Sequence, residues 1–541
     1  MTGRRSTGGI SYAHPTAFWA GIAAVTVGVL LHLPMYLDAG EMGYHLAGMD
    51  VDAPMAAGMA LILVGLGFTA KGLFPPRTAA TGERAASIRV RALDEAAIRP
   101  AHVGLLLVMA AAVTIDVMKP TTLAFVVPGM TTEYGLKSAL NPGGEVPAAL
   151  LPLFGITGTV IGSFIWGWLG DRIGRRASIL LAGVLFIATA VCGSMPSYAL
   201  NLVMCFVMGL GVGGMLPITF ALMSETIPAR HRGWVMVLIG GDVAGAYAIT
   251  SWLSEILVPD YGWRILWLLG LPTGLLLLLL NRWIPESPRF LLAHGRDDEA
   301  EAVMRRYGAT VVRDDTSELA VEGRVADRFG SLLRPPFVGL SAVVVMLGLG
   351  VGLVTFGFQL WIPSNLQKVG YSEVTANRIL RDSALIGFPL NFVVAWLYGV
   401  WSSKKTIVLL GLLTSAALVG FVVLGDDVAD NRTVLQALLV LPIWGISSIV
   451  AVLFAYSSEV FPTRVRSRGT GLAAGASKAG GVVLIALVAA AVAPPSIAVT
   501  ALLGAVPMAL AVVAMALFGV ETRRRRLEEI TAEELGVVAV R

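Results

Sequence analysis

An all-α membrane architecture is expected of this 541-residue chain: two six-helix bundles related by a pseudo-twofold axis, preceded by two extra N-terminal transmembrane helices. Three features carry that expectation. Hydrophobic residues make up 56% of the chain and charged residues 14%, against about 25% charged in a soluble domain. Long apolar runs recur about fourteen times. One phrase is repeated, as Ser224-Glu225-x-x-Pro228-x-Arg230-x-Arg232 and as Ser458-Glu459-x-x-Pro462-x-Arg464-x-Arg466, at a constant offset of 459 − 225 = 234. Each copy closes an apolar run at a basic loop, so the chain reads as two related membrane halves.

A bilayer core about 30 Å thick takes about 20 apolar residues per helix. Runs near 17–37 and 54–73 form the extra pair, within a segment 1–76, and a polar linker follows at 77–100. Runs near 102–128, 148–168, 177–194, 197–223, 234–257 and 263–283 make the first bundle, 101–283. A charged loop at 284–336 leads to runs near 337–362, 379–400, 405–424, 433–456, 468–492 and 496–518, the second bundle at 337–519, with a tail at 520–541. The first run follows Arg4 and Arg5 as a signal peptide would. It is longer than the usual apolar region and lacks a small-residue cleavage site, so it reads as a retained helix. Cys192 and Cys205 lie in or beside apolar runs, which points to packing and gives no support to a disulfide framework.

Arginine and lysine gather in alternate loops: Arg4 and Arg5, Arg77 to Arg99, Arg172 to Arg176, Arg230 and Arg232, the 284–336 loop, Lys404 and Lys405, Arg464 to Arg468, and Arg523 to Arg526. The intervening loops carry acids, as in Asp38 to Asp52, Glu255 to Asp260 and Asp426 to Asp430. Positive loops stay inside. Both termini are therefore expected in the cytoplasm, in the cell membrane of a bacterium with a GC-rich genome.

Gly167-Trp-Leu-Gly170-Asp171-Arg172-Ile-Gly174-Arg175-Arg176 joins two apolar runs with hardly any loop between them. Glycines permit the sharp turn, while Asp171 can cap a helix start or pair with an arginine. This segment resembles the signature loop between helices 2 and 3 of the major facilitator superfamily. The repeated Glu-x-x-Pro-x-Arg-x-Arg phrases resemble the ends of helices 4 and 10 in its sugar-porter-like and metabolite:proton symporter branches. Pro285-Glu286-Ser287-Pro288-Arg289 resembles the motif those branches carry after helix 6, and Val520-Glu521-Thr522-Arg523 its partner after helix 12, with 521 − 286 = 235.

The resemblance covers about residues 101–530 and implies a transporter that alternates between two open states. It further implies that Gly167, Asp171, Arg172, Gly174, Arg175, Arg176, Glu225, Arg232, Glu286, Arg289, Glu459 and Arg466 form conformational latches. Orientation by positive charge alone would explain the arginines, but not acids at matching positions. The second-half counterpart of the loop is reduced to Gly399-Val-Trp-Ser-Ser-Lys404-Lys405 and lacks the acid, and the glutamine pairs of sugar porters are not evident.

A charge at mid-bilayer costs about 2.5–3.5 kcal/mol on insertion scales and usually faces a cavity or a partner. Asp116 and Lys119 stand three residues apart beside Pro120, on one face of a helix expected to kink. They read either as a proton carrier with an anion anchor or as a static ion pair. Asp242, amid glycines, is a cavity group or a buried hydrogen-bond acceptor. Gln359 is a substrate contact, Trp361 belongs rather to the interfacial belt, Arg264 to helix-end packing, and Lys478 can attract an anion. His32 and His45 among acids lack metal-ligand spacing, so no metal is expected.

A secondary active transporter is the leading expectation, moving a small metabolite, an organic anion in preference, by proton-coupled symport across the lipid bilayer. A sugar or drug transporter of the same fold is the alternative, and a polytopic membrane enzyme is the rival from another class. That enzyme would need clustered His, Asp, Cys or Ser, and the six histidines are scattered. With no phosphate-binding loop a primary pump is disfavoured. No cofactor and no nucleic-acid partner are expected.

Overall fold

The computed structural model describes residues 5–7, 10–74, 93, 96–309, 332–335, 337–461, 463–491 and 496–522. Among them are fourteen helical spans long and apolar enough to cross a membrane. They run α1 Pro15–Met42, α2 Ala53–Leu73, α3 Pro100–Tyr134, α4 Leu150–Gly170, α5 Arg175–Ser194, α6 Tyr198–Thr226 and α7 Arg230–Tyr261. The remainder are α8 Ile265–Trp283, α9 Val338–Lys368, α10 Glu373–Val400, α11 Ser403–Asp430, α12 Arg432–Val460, α13 Arg468–Ala490 and α14 Ile497–Phe518. A short hairpin, Arg5–Thr7 paired with Ile10–Tyr12, precedes α1.

Local sequence explains the ends of several spans. Ser197, Ser372, Ser402 and Ser496 cap α6, α10, α11 and α14, each accepting from a backbone N–H three residues on. The cap at Ser372 starts α10 at Glu373, six residues before the apolar run at 379–400, which itself contains Arg381 and Asp382. Helix α3 is continuous through Pro120 and Pro128. Beside the Asp116 carbonyl that Pro120 leaves without its helical donor, the Thr121 and Thr122 hydroxyls donate to Val117 and Met118 carbonyls at 2.7 and 2.8 Å.

The chain divides into two compact units. The first comprises residues 1–136, 144–230 and 253–314, and the second 137–143, 231–252 and 315–541. In the first, α1 packs along α2 with backbones nearly touching: a Cβ added at Gly28 would lie 2.7 Å from the Gly58 carbonyl oxygen. The pair docks on α5. Helices α4 and α6 cross as closely, since a Cβ at Gly209 would fall 2.0 Å from the Gly155 carbonyl oxygen. Small residues permit such contacts where lipid supplies no hydrophobic drive between helices.

In the second unit α9 packs on α13, α11 on α14 and α12, and α10 on α12. Helix α9 is not regular: Val354–Gln359 is π-helical, and a short helix, Ile362–Lys368, follows. A widened turn of this kind recurs at functional sites.

Candidate functional site

Within the second unit the middle of α7 and the first half of α10 line an open groove of about 510 Å³, in which Trp252 and Leu385 are exposed. Its lining includes Asp242, Gly245 and Trp252 from α7 and Arg381, Leu385 and Phe388 from α10. That volume falls in the range of about 300–1,000 Å³ for small-molecule sites. Asp382 holds the Arg381 guanidinium, accepting from Nε at 2.9 Å and from Nη2 at 2.7 Å on one carboxylate oxygen.

Two features set the spacing of these helices. The Asn391 amide donates to the Gly241 carbonyl at 3.0 Å and accepts from the Ser448 hydroxyl at 2.8 Å, which ties α7, α10 and α12 together one residue from Asp242. A Cβ at Gly245 would lie 2.9 Å from the Phe388 ring and 3.1 Å from Asp242 Oδ1. Glycine at 241 and 245 therefore lets α10 approach the acid.

The other intramembrane candidates lie elsewhere. Asp116 is buried in α3, in the first unit, and does not line the cavity. The pairing open to Lys119 with Asp116 is not the contact its ammonium makes. Lys119 Nζ donates to the Phe186 carbonyl at 3.5 Å and sits 5.9 Å from the Phe186 ring, and a Cβ at Gly270 would be 2.1 Å away. It points between α5 and α8. Gln359 is buried at the end of the π-helical stretch and Lys478 is half-buried on α13. Near Gln359, the Asn365 amide, the Thr355 and Ser364 hydroxyls and the Trp361 indole N–H have no hydrogen-bond partner among the described residues.

The residues that the loop motifs brought forward form a carboxylate-centred cluster in the first unit. Glu286 accepts from the Arg175 backbone N–H at 2.7 Å and from the Arg176 N–H at 3.3 and 3.4 Å, which caps α5. Gly174, at φ +101°, brings this about, since a Cβ there would lie 2.3 Å from Glu286 Oε2. Burial pushes the Glu286 carboxyl up to about 7, against the lowering effect of the N–H donors of Ser287, Arg175 and Arg176 and of the Arg175 charge. Glu225, at the end of α6, accepts from the Ser287 hydroxyl and lies 3.8 Å from Arg175 Nη2. Arg176 Nε donates to Asn281, whose amide returns a bond to the Arg176 carbonyl at 3.0 Å. Arg172 is exposed over the Trp168 ring at 4.9 Å, and Arg289 is exposed. The side chains of Gly167, Asp171 and Arg466 lie outside the described residues.

The second unit repeats the cluster with different chemistry. Glu521 accepts from the Ser403 N–H at 3.0 Å and the Ser403 hydroxyl at 2.6 Å, as well as from Ser402. Glu459 accepts from the Thr522 hydroxyl at 2.8 Å and from the Tyr398 hydroxyl at 2.7 Å, and a Cβ at Gly233, beside half-buried Arg232, would be 2.6 Å from it. Thr522 thus stands to Glu459 as Ser287 stands to Glu225. The shortened loop keeps the capping carboxylate, with Ser403 at the capped position that Arg175 holds in the first unit and Lys404 and Lys405 following it.

One hub was not visible in the sequence. Arg264 is fully buried and donates all five N–H groups: to Glu133 at 2.6 and 3.2 Å, to the Tyr134 hydroxyl at 2.8 Å, and to the Gly193 and Met195 carbonyls at 3.2 and 2.8 Å. Glu133 also accepts from the Trp263 indole at 2.7 Å and from the Leu46 and Ala47 N–H groups at 2.7 and 2.9 Å. The loop between α1 and α2 is thereby fastened to the ends of α3 and α8. Among the described residues there is no group of three His, Cys, Asp or Glu that could hold a metal.

The family described as Sugar (and other) transporter matches residues 129–533. A niacin transporter, NiaP of Acinetobacter baylyi, is 27% identical over 388 residues, covering 70% of this chain and 85% of its own. The 4-hydroxybenzoate transporter PcaK of the same organism is 25% identical over 385 residues, covering 68% of this chain and 80% of its own. Among solved structures, the major facilitator superfamily proton:xylose symporter XylE bound to 6-bromo-6-deoxy-D-glucose matches with a TM-score of 0.64 at 17% identity, over 80% of this chain and 99% of that one.

Proposed function

The chain belongs to the sugar (and other) transporter family of the major facilitator superfamily, and from that premise we propose that it carries a small organic anion together with a proton by alternating access. Its loops of high positive charge and both termini face the cytoplasm of a bacterial cell. The observation that carries the reading is the cavity that holds Asp242 and Arg381 inside membrane spans.

Charge arithmetic supports the coupling. Asp242 and Asp382 against Arg381 give the site a net charge of 1 − 2 = −1. A monoanion alone would take it to −2, at a cost that low dielectric makes severe, whereas a monoanion with one proton on Asp242 returns it to −1. Asp242 is the preferred proton carrier over Asp116 because it lines the cavity. Niacin and 4-hydroxybenzoate, named for two relatives, are small aromatic acids, and this supports an anion over a sugar.

The clusters around Glu286 and Glu521 brace the basic ends of the two units, and the bundles 101–283 and 337–519 rock between open states. Uptake into proteoliposomes of a radiolabelled panel containing niacin, 4-hydroxybenzoate and xylose tests the reading. Accumulation of an acid that follows an imposed pH gradient, collapses with a protonophore and disappears in Asp242→Asn is expected. Accumulation of xylose alone, or of an acid with no response to the pH gradient, overturns it.

A further inference from the structure

We infer that the loop between α1 and α2 is a clasp that holds the ends of α3, α5, α7 and α8 remote from the basic loops together as one block during transport, and that the ring of Tyr44 is its catch. The clasp requires alternating access and no particular substrate. On the orientation proposed above, it sits at the outer end of the first unit.

The need for a clasp follows from the solvent. Lipid is as apolar as the faces of α1 and α2, so burial alone does not drive the pair onto the bundle. Directional contacts at the loop supply the grip. Leu46 and Ala47 donate to Glu133 at the end of α3, and the same carboxylate takes the Trp263 indole just ahead of α8. The Gly48 N–H donates to the Pro196 carbonyl between α5 and α6 at 3.1 Å. The Tyr36 hydroxyl donates to the Tyr261 carbonyl at the end of α7 at 2.6 Å. Tyr44 stacks on Tyr36 with ring centroids 4.9 Å apart, and its ring lies 6.0 Å from that of Tyr261.

Tyr44 reaches these partners at a backbone cost. Its N–H donates to the Ala39 carbonyl at 2.8 Å and that of Gly43 to Gly40 at 3.2 Å, a helix end that places Gly43 at φ +66°. Tyr44 follows at φ +62°, the one non-glycine at positive φ among the described residues. A bulky residue is an outlier in that region, where glycine fits freely. Strain of this kind persists where the surroundings over-determine it. Here the surroundings are the rings of Tyr36 and Tyr261 and the backbone of Gly262, where a Cβ would stand 3.2 Å from Tyr44 Cβ. A loop that only joined two helices would have no use for tyrosine at this position. Rocking moves a bundle as a body, so a clasp that keeps α3, α7 and α8 in step stays closed through the cycle, and loosening it slows turnover without touching the groove in the second unit.

Hydrogen exchange of the purified full-length protein in nanodiscs reads the clasp with no ligand. Tyr44→Phe is expected to exchange as the parent does over residues 44–49 and 258–265. Tyr44→Gly relaxes the backbone yet removes the ring, and both segments should exchange about tenfold faster. The Cβ positions of a Tyr44→Cys/Gly262→Cys pair fall a few tenths of an ångström short of the usual disulfide separation of about 3.5–4.5 Å, and Cys192 and Cys205 are buried. Oxidised, the pair should be protected as the parent is; reduced, it should exchange as Tyr44→Gly does. Both forms carry the same strain at position 262, so the difference between them isolates the tie. In proteoliposomes, the maximal uptake rate of whichever of niacin, 4-hydroxybenzoate and xylose the parent accumulates should fall about threefold in Tyr44→Gly at an unchanged Michaelis constant, and oxidation of the cysteine pair should restore it. Protection in Tyr44→Gly equal to or above the parent's, an uptake rate unaltered by faster exchange, or slower uptake by the oxidised pair than by the reduced one overturns the inference. If none of the three compounds is accumulated, the transport reading falls and hydrogen exchange alone decides the clasp.

Discussion

Glu133 and Arg264 form a bidentate pair with side chains only 2% and 0% exposed, Oε1 meeting Nη2 at 2.6 Å and Oε2 meeting Nε at 3.2 Å. The pair closes the loop of the extra helices onto the first unit, since Leu46 and Ala47 donate to the same carboxylate. Removing one partner of a buried pair leaves an uncompensated charge, which costs about 3–5 kcal/mol. Glu133→Gln should therefore lower the thermal unfolding temperature in detergent sharply. Arg264→Lys should not rescue it, because an ammonium has three donors where five are used.

Glu286 makes stability depend on pH. Its carboxyl sits at about 7 in the folded chain, above the ordinary 4.5, because burial disfavours the charged form. The folded state thus binds this proton more tightly than the unfolded state. The associated stability is complete below about pH 4.5 and is lost as pH rises through 7. The shift is 7 − 4.5 = 2.5, so at about 1.4 kcal/mol per unit the loss is about 3.5 kcal/mol at most. Chemical denaturation followed from about pH 5 to pH 8 should fall across that window, and Glu286→Gln should flatten the profile.

Gly174→Ala tests the same cap by sterics. The backbone there has φ +101°, and the added methyl would lie 2.3 Å from Glu286 Oε2. Strain of this kind costs about 1–3 kcal/mol. A comparable loss of thermal stability is expected, together with proteolysis of the 170–175 turn that the parent resists.

Asn391 sets the distance between α7 and α10 through its bonds to Gly241 and Ser448. Asn391→Leu leaves a buried carbonyl and a buried hydroxyl without these partners, at about 1–3 kcal/mol each. Uptake should fall more than protein stability does, and the Michaelis constant should rise, because the cavity wall that carries Phe388 loses its tether.

The fourteen spans were legible because hydrophobic run length reports directly on the thickness of the bilayer. Helix rotation was not, because what a side chain faces is fixed by tertiary packing. Asp116 and Lys119 share a helical face in the sequence, yet Lys119 turns to α5 and α8. Arg381 lies two residues inside the apolar run that begins at 379, where an arginine reads as an ordinary boundary charge, while the Ser372 cap starts the helix at Glu373. Glu133 and Arg264 are 131 residues apart, and Arg264 by itself read as helix-end packing. At the capped position Ser403 stands where the first unit has Arg175, an exchange hidden in a loop that read as lacking its acid until Glu521 was found bonded to Ser402 and Ser403.

That exchange gives the two halves different sensitivities to ionic strength. At the first unit's basic end a full cation takes part, with Arg175 at 3.8 Å from Glu225, and mobile ions weaken such attraction where solvent reaches it, the Debye length being about 8 Å at physiological salt. Around Glu521 and Glu459 the direct contacts come from hydroxyls and the Ser403 N–H, short-range bonds that salt barely alters, and Arg232 adds its charge near Glu459. Rising salt should slacken one brace before the other, so the two halves of a duplicated chain can yield in a set order.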